Sequence, residues 1–101
     1  MLNFSTKTAI VTGGSRGIGK EISTILAQNN FNVIAVATSE KSLDSIRDVE
    51  NVYPFCSDIS DKKSIEKLYE FVISKFGHAD VLINNAAVSY THLTLPTILL
   101  V

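Results

Sequence analysis

The stretch TGGSRGIGKE, Thr12 to Glu21, sets four glycines and two hydroxyl residues around Arg16. An apolar run precedes it and a helical pattern follows it. Glycines let the backbone turn sharply and approach a ligand with no Cβ in the way. The first turn of a helix offers unpaired N–H groups and a positive dipole end. The chemistry these residues suit is the binding of a phosphate. One version is a nucleotide-triphosphate loop, because Gly14 to Lys20 satisfies G-x-x-x-x-G-K. That version needs Ser or Thr next, to hold Mg²⁺, and Glu21 stands there instead. No later strand ends in an aspartate able to anchor a metal, and no metal site is expected. The other version is a dinucleotide loop of the pattern T-G-x-x-x-G-x-G, carried by Thr12, Gly13, Gly17 and Gly19.

Elements that position this loop are legible around it. Thr8 to Thr12, Asn32 to Thr38, Asn51 to Cys56 and Asp80 to Asn84 are short apolar runs. Continuous apolar runs suit strands buried on both faces of a parallel sheet. Pro54 removes one ladder donor and fits the third strand to an edge. Ile18, Ile22, Ile25 and Leu26 recur at helical spacing and predict one buried helix face. Ser42 to Arg47 predicts a short helix with Leu43 and Ile46 inward. Ile65, Leu68, Tyr69, Val72, Ile73 and Phe76 form a third helical stripe, which Ser60 or Asp61 can cap and Gly77 can end. Strands alternating with helices through short connections predict a doubly wound α/β fold with right-handed crossovers.

Three features then converge on one family. The glycine loop is followed by SDIS, with Asp58 just after the third strand, and by NNAA after the fourth. With this spacing the chain resembles the N-terminal part of a short-chain dehydrogenase/reductase. Within that family it is most similar to 3-oxoacyl-acyl-carrier-protein reductases, through SRGIG and VIAVATSE. The resemblance implies a truncated Rossmann fold of about four parallel strands in the order 3-2-1-4. It implies cofactor contacts from Gly13, Ser15, Arg16, Gly17, Ile18, Gly19, Thr38, Asp58, Ile59, Asn85 and Ala86, with Asn84 partly structural. It also implies a cytoplasmic, homotetrameric parent acting in fatty acid biosynthesis by hydride transfer to a ketone.

The cofactor expected is NADP rather than NAD. A site for NAD places an acidic residue at the end of the second strand, where it holds the ribose 2′-OH and repels a 2′-phosphate. Ala37 occupies that place, followed by Thr38 and Ser39, and Arg16 supplies a guanidinium suited to a phosphate. Glu40, slightly further on, is the one residue that argues the other way.

The family's acid is a tyrosine with a lysine four residues later. Tyr53, Tyr69 and Tyr90 are followed at that spacing by Ser57, Ile73 and Thr94, so no catalytic residue is assigned and the chain is expected to be inactive by itself. A non-enzymatic dinucleotide-binding regulator is the alternative reading. His78, after Gly77, reads as a solvated turn residue. Cys56, the only cysteine, permits no internal disulfide and reads as a small buried or half-buried hydrophobe. Nine Lys and Arg against ten Asp and Glu give no electrostatic case for nucleic acid as a partner. No segment reaches the roughly 20 apolar residues of a membrane span.

Val88 to Val101 carries no Asp, Glu, Lys or Arg. Val88 to Thr97 is similar to a translation of the transposase adapter used in sequencing libraries. An index of variable bases accounts for Ile98 to Leu100, and the adapter's GTG followed by a stop accounts for Val101. The adapter's opening CT completes a GCT codon at Ala87. Residues 1–87 therefore read as the N-terminal part of an NAD(P)-binding domain, and residues 88–101 as a non-native tail.

Overall fold

A computed structural model describes residues 6–58, 61–85 and 99–100. Strands β1 (Thr8–Thr12), β2 (Asn32–Ala37), β3 (Val52–Cys56) and β4 (Val81–Asn84) alternate with helices α1 (Gly17–Gln28), α2 (Glu40–Leu43) and α3 (Lys62–Phe76). A 3₁₀ turn, Asp44–Ile46, continues α2. The four strands lie parallel in the order β3-β2-β1-β4. A two-residue strand, β5 (Leu99–Leu100), pairs parallel to Val81 and Leu82 on the outer edge of β4. The tail thus contributes a short fifth strand, beyond the four the sequence predicts. An open apolar edge presents unpaired N–H and C=O groups that any extended apolar segment can meet.

The strands are buried on both faces because each face has its own core. Side chains alternate across a strand. Ile34 and Val36 of β2 join Ile10, Leu82 and the α3 residues Ile65, Leu68, Val72 and Phe76 on one side. Val33 and Ala35 join Val11, Ala27, Leu43, Ile46 and Val52 on the other. A right-handed crossover has to place helices on both faces, and this alternation follows from it. Pro54 sits on edge strand β3, where its missing N–H costs no ladder bond on the open side. Tyr53 of the same strand meets Phe76 edge-on, with ring centroids 4.9 Å apart.

Helix α3 follows its sequence pattern. Asp61 caps it by accepting the Ser64 N–H at 2.8 Å, and Gly77 ends it at φ 82°. That backbone hydrogen bond from Ser64 holds the Asp61 carboxyl below its ordinary value of 3.8. A carboxyl lowered in the fold stabilises above its unfolded value and loses that contribution as pH falls through the folded one. Unfolding midpoints measured from pH 7 downward should therefore be flat until about pH 4 and then fall. Asp61→Asn should make that fall shallower.

Helix α1 does not follow its pattern. Ile18 is 70% exposed and Ile25 56% exposed. The buried stripe is Gly19, Ser23 and Ala27, with Ile22 and Leu26 only partly covered. Small residues let the helix lie close against the sheet, which turns the bulky isoleucines toward solvent. Ser23 is fully buried and bonds the carbonyls of Gly14 and Gly19 at 3.2 and 2.9 Å.

Two further expectations are corrected. His78 is not a solvated turn residue. It is half-buried, its Nε2 lying 3.0 Å from Asp80 Oδ2 and 3.2 Å from the Thr6 carbonyl. Asp80 also accepts the Thr8 N–H at 2.8 Å, so the pair closes the amino-terminal ends of β1 and β4. Cys56 is exposed, because it ends edge strand β3 where neither helical layer covers it. Beside this closure the Thr8 hydroxyl is buried with no partner among the described residues. Such a group carries an uncompensated desolvation cost of about 1–3 kcal/mol. Thr8→Val keeps the shape and removes the hydroxyl, and should raise stability by about 1 kcal/mol in urea unfolding; a lower midpoint would contradict this.

Candidate dinucleotide site

All four long strands run parallel, so their carboxyl ends share one edge of the sheet, the place where ligands bind in such folds. The turn after β1 lies there. Gly13 and Gly17 take φ of 66° and 53°, open to glycine at little cost. The Gly13 N–H bonds the Val36 carbonyl at 2.8 Å, tying the loop to the end of β2. Arg16 is the extended residue just before α1, and its side chain is not used to cap the helix. Gly19 lies against the loop: a Cβ there would stand 2.1 Å from the Gly13 carbonyl oxygen.

The end of β4 is latched to the same turn. The Thr12 hydroxyl lies 3.3 Å from Asn84 Oδ1 and 3.4 Å from the Ile83 carbonyl. It accepts the Asn85 N–H at 3.0 Å, and Asn85 Nδ2 reaches the Gly13 carbonyl at 3.4 Å. These contacts hold Asn84 and Asn85 against the turn after β1.

Between the glycine loop and the end of β2 is an open pocket of about 230 Å³. Its polar wall is Ser15, Arg16, Thr38, Ser39, Ser42 and Ser57. Arg16 brings a positive charge and the hydroxyls bring donors, so the pocket suits a phosphate ester. No carboxylate lines it among the described residues. Ser42 and Ser57 were not anticipated. Ser42 enters because α2 folds back over the loop: its hydroxyl lies 3.3 Å from that of Ser15, and Ser45 Oγ donates to the Ser15 carbonyl at 3.0 Å. Ser57 enters because its N–H continues the β2–β3 ladder onto Ala37 at 2.9 Å. The short connection after β2 was the only signal for the first, and the strand end for the second.

The structure brings Gly13, Ser15, Arg16, Gly17, Ile18 and Gly19 together in the turn and first helical residues. The 70% exposure of Ile18 leaves an apolar side chain open beside the loop. Thr38, Asp58 and Asn85 follow the carboxyl ends of β2, β3 and β4, all exposed. Ile59 and Ala86 lie outside the described residues. No cluster of His, Cys, Asp or Glu able to hold a metal occurs among the described residues, and no described helix is long and apolar enough to cross a membrane.

Comparison with known proteins gives one consistent picture. Residues 7–97 match the model of the short chain dehydrogenase family. The chain is 39% identical over 94 residues to the 3-oxoacyl-[acyl-carrier-protein] reductase FabG of Escherichia coli, covering 91% of this chain and 38% of that protein. It is 38% identical over 88 residues to a diacetyl reductase of Staphylococcus epidermidis, covering 82% and 34%. Among solved structures, a short chain dehydrogenase from Bacillus anthracis superposes with TM-score 0.76 at 32% identity, over 80% of this chain and 34% of that one. A variant of actinorhodin polyketide ketoreductase solved with NADPH superposes with TM-score 0.77 at 30% identity, over 85% and 35%. The chain therefore spans little more than a third of the length of these relatives.

Proposed function

The chain belongs to the short chain dehydrogenase family, and we propose that it is the NADP(H)-binding part of a reductase whose full-length parent converts a 3-oxoacyl thioester to the alcohol. The observation that carries the cofactor reading is the pocket at the end of β2. Where an NAD site has an acid, this chain has Ala37, and the wall beyond it is Thr38, Ser39 and Arg16. In this reading Gly13, Ser15, Gly17, Ile18 and Gly19 surround the pyrophosphate and adenosine ribose. Thr38 and Arg16 take the 2′-phosphate, Asp58 and Ile59 the adenine, and Asn85 and Ala86 the ribose nearest the nicotinamide. The NADPH named with the ketoreductase structure supports the choice of coenzyme.

The substrate class rests on similarity to the FabG enzymes. The 101 residues contain no Tyr-x-x-x-Lys, so the proton donor for reduction is assigned to the remainder of a longer, cytoplasmic, homotetrameric parent. This chain's share of the chemistry is to bind and orient the coenzyme, which supplies the hydride when bound. Residues 88–101 we assign to translated adapter, with no function, and read the edge pairing of Leu99 and Leu100 as the response of an open strand to an apolar segment. The test is to amplify the gene from genomic DNA, express the parent and assay it with a 3-oxoacyl thioester. NADPH oxidation is expected. Failure to reduce 3-oxoacyl thioesters, or the same tail in the genomic clone, would overturn the corresponding assignment.

A further inference from the structure

We infer that Arg47 is a positioning residue for coenzyme discrimination, holding the Glu40 carboxylate away from the pocket that receives the 2′-phosphate; this rests on the NADP(H) reading above. The chain has a carboxylate close to where an NAD-binding site would want one. Glu40 opens α2 directly after the pocket residues Thr38 and Ser39. Yet Glu40 is not part of the pocket wall. Its Oε2 is held at 2.7 Å by Arg47 Nη2, and the same guanidinium holds Asp44 Oδ1 at 2.9 Å through Nε. One planar fork thus gathers the two acidic side chains of this segment.

The fork is an unpromising stability device. The side chains of Arg47, Glu40 and Asp44 are 44%, 72% and 68% exposed, and exposed ion pairs contribute little to folding. Its base, however, is fixed. Leu43 and Ile46 are buried beneath it. Ser45 bonds the Ser15 carbonyl, and the Ser42 hydroxyl meets that of Ser15, so the segment is tied to the glycine loop itself. Arg47 follows Ile46 directly and reaches back from this anchored turn. The hydrogen bonds that Arg47 donates to Asp44 and Glu40 raise the guanidinium's pKa, so the fork stays charged across the working range. Without it, Glu40 is a long side chain one residue beyond the pocket wall. A carboxylate free to swing over Ser39 would repel a phosphate dianion but not the uncharged 2′-OH of an unphosphorylated ribose.

A double-mutant cycle on the full chain tests this, with NADPH and NADH titrated at low salt and followed by backbone amide shifts. Arg47→Met should weaken NADPH about threefold to tenfold and NADH less than about twofold. Adding Glu40→Gln should restore NADPH binding, and Glu40→Gln should act more strongly in the Arg47→Met background than alone. Should Arg47→Met fail to fold, Arg47→Lys keeps the charge, breaks the fork, and should show the same selective loss and rescue. Parallel loss of both coenzymes would mean a merely structural role. Additive effects would mean simple charge removal, and either result overturns the inference while leaving the NADP(H) reading intact. A wild-type chain with no preference for NADPH would instead overturn that reading, and this inference with it.

Discussion

Gly19→Ala should destabilise the chain by about 3 kcal/mol, the upper part of the range for forcing an extra carbon into a packed site, and abolish coenzyme binding. The added Cβ meets the Gly13 carbonyl oxygen at 2.1 Å, its carbon at 2.8 Å and Asn85 Nδ2 at 2.7 Å. Two of these atoms are backbone, so no rotamer change relieves the contact. Gly13 cannot yield easily, because its N–H is tied to the Val36 carbonyl and its φ is already 66°. The helix cannot withdraw without breaking the Ser23 bond to the Gly14 carbonyl. Gly17 makes the informative comparison. A Cβ there meets nothing within 4 Å, and only its φ of 53° is unfavourable. Gly17→Ala should cost about 1–2 kcal/mol. Urea unfolding of both variants checks the ranking, and equal midpoints would contradict the close approach of α1 to the loop.

Arg16→Ala should weaken NADPH about 10- to 100-fold, the worth of one or two charge-assisted hydrogen bonds at about 1.5–3 kcal/mol, and leave NADH nearly unchanged. Arg16 is the one cation on the pocket wall among the described residues. It is exposed and makes no capping bond in α1, so its loss should barely alter stability. Arg16→Lys should recover only part of the affinity, since an ammonium cannot match a phosphate with a planar fork. Binding isotherms with the two coenzymes check this. A matching loss for NADH would move Arg16 from the 2′-phosphate to a part common to both.

The sheet was legible because its strands are buried on both faces. Continuous runs such as Val33 to Val36 bound each strand to within a residue or two, and Pro54 marked the edge. Helix α3 was legible because Ile65, Leu68, Val72 and Phe76 recur at helical spacing and are buried along one face. Helix α1 was not. Periodicity counts bulky side chains, whereas this helix is seated by Gly19, Ser23 and Ala27. Close approach to the glycine loop selects small residues, and they give hydropathy patterns little to detect. His78 misled for a related reason. Its partners are Asp80, two residues on, and a carbonyl 72 positions earlier, and that long-range contact leaves no local trace.

At the site, the glycine loop and the residues ending each strand were legible because topology brings parallel strand ends to one edge. Ser42 and Ser57 were not, because their place depends on how the turn after β2 and the end of β3 fold over that edge. Glu40 was legible only as an ambiguity. Its sequence position suggests a ribose-binding acid, and the structure leaves it off the pocket wall and paired with Arg47.

The most direct measurement is a titration of the 101-residue chain with NADPH and NADH, followed by amide shifts so that weak binding is still seen. NADPH should shift the amides of Gly13 to Gly19, Thr38 and Asn85 and saturate at least about tenfold earlier than NADH, as expected if one guanidinium and its hydroxyl neighbours read the 2′-phosphate. Equal affinities, tighter NADH, or shifts that bypass the glycine loop would contradict the account.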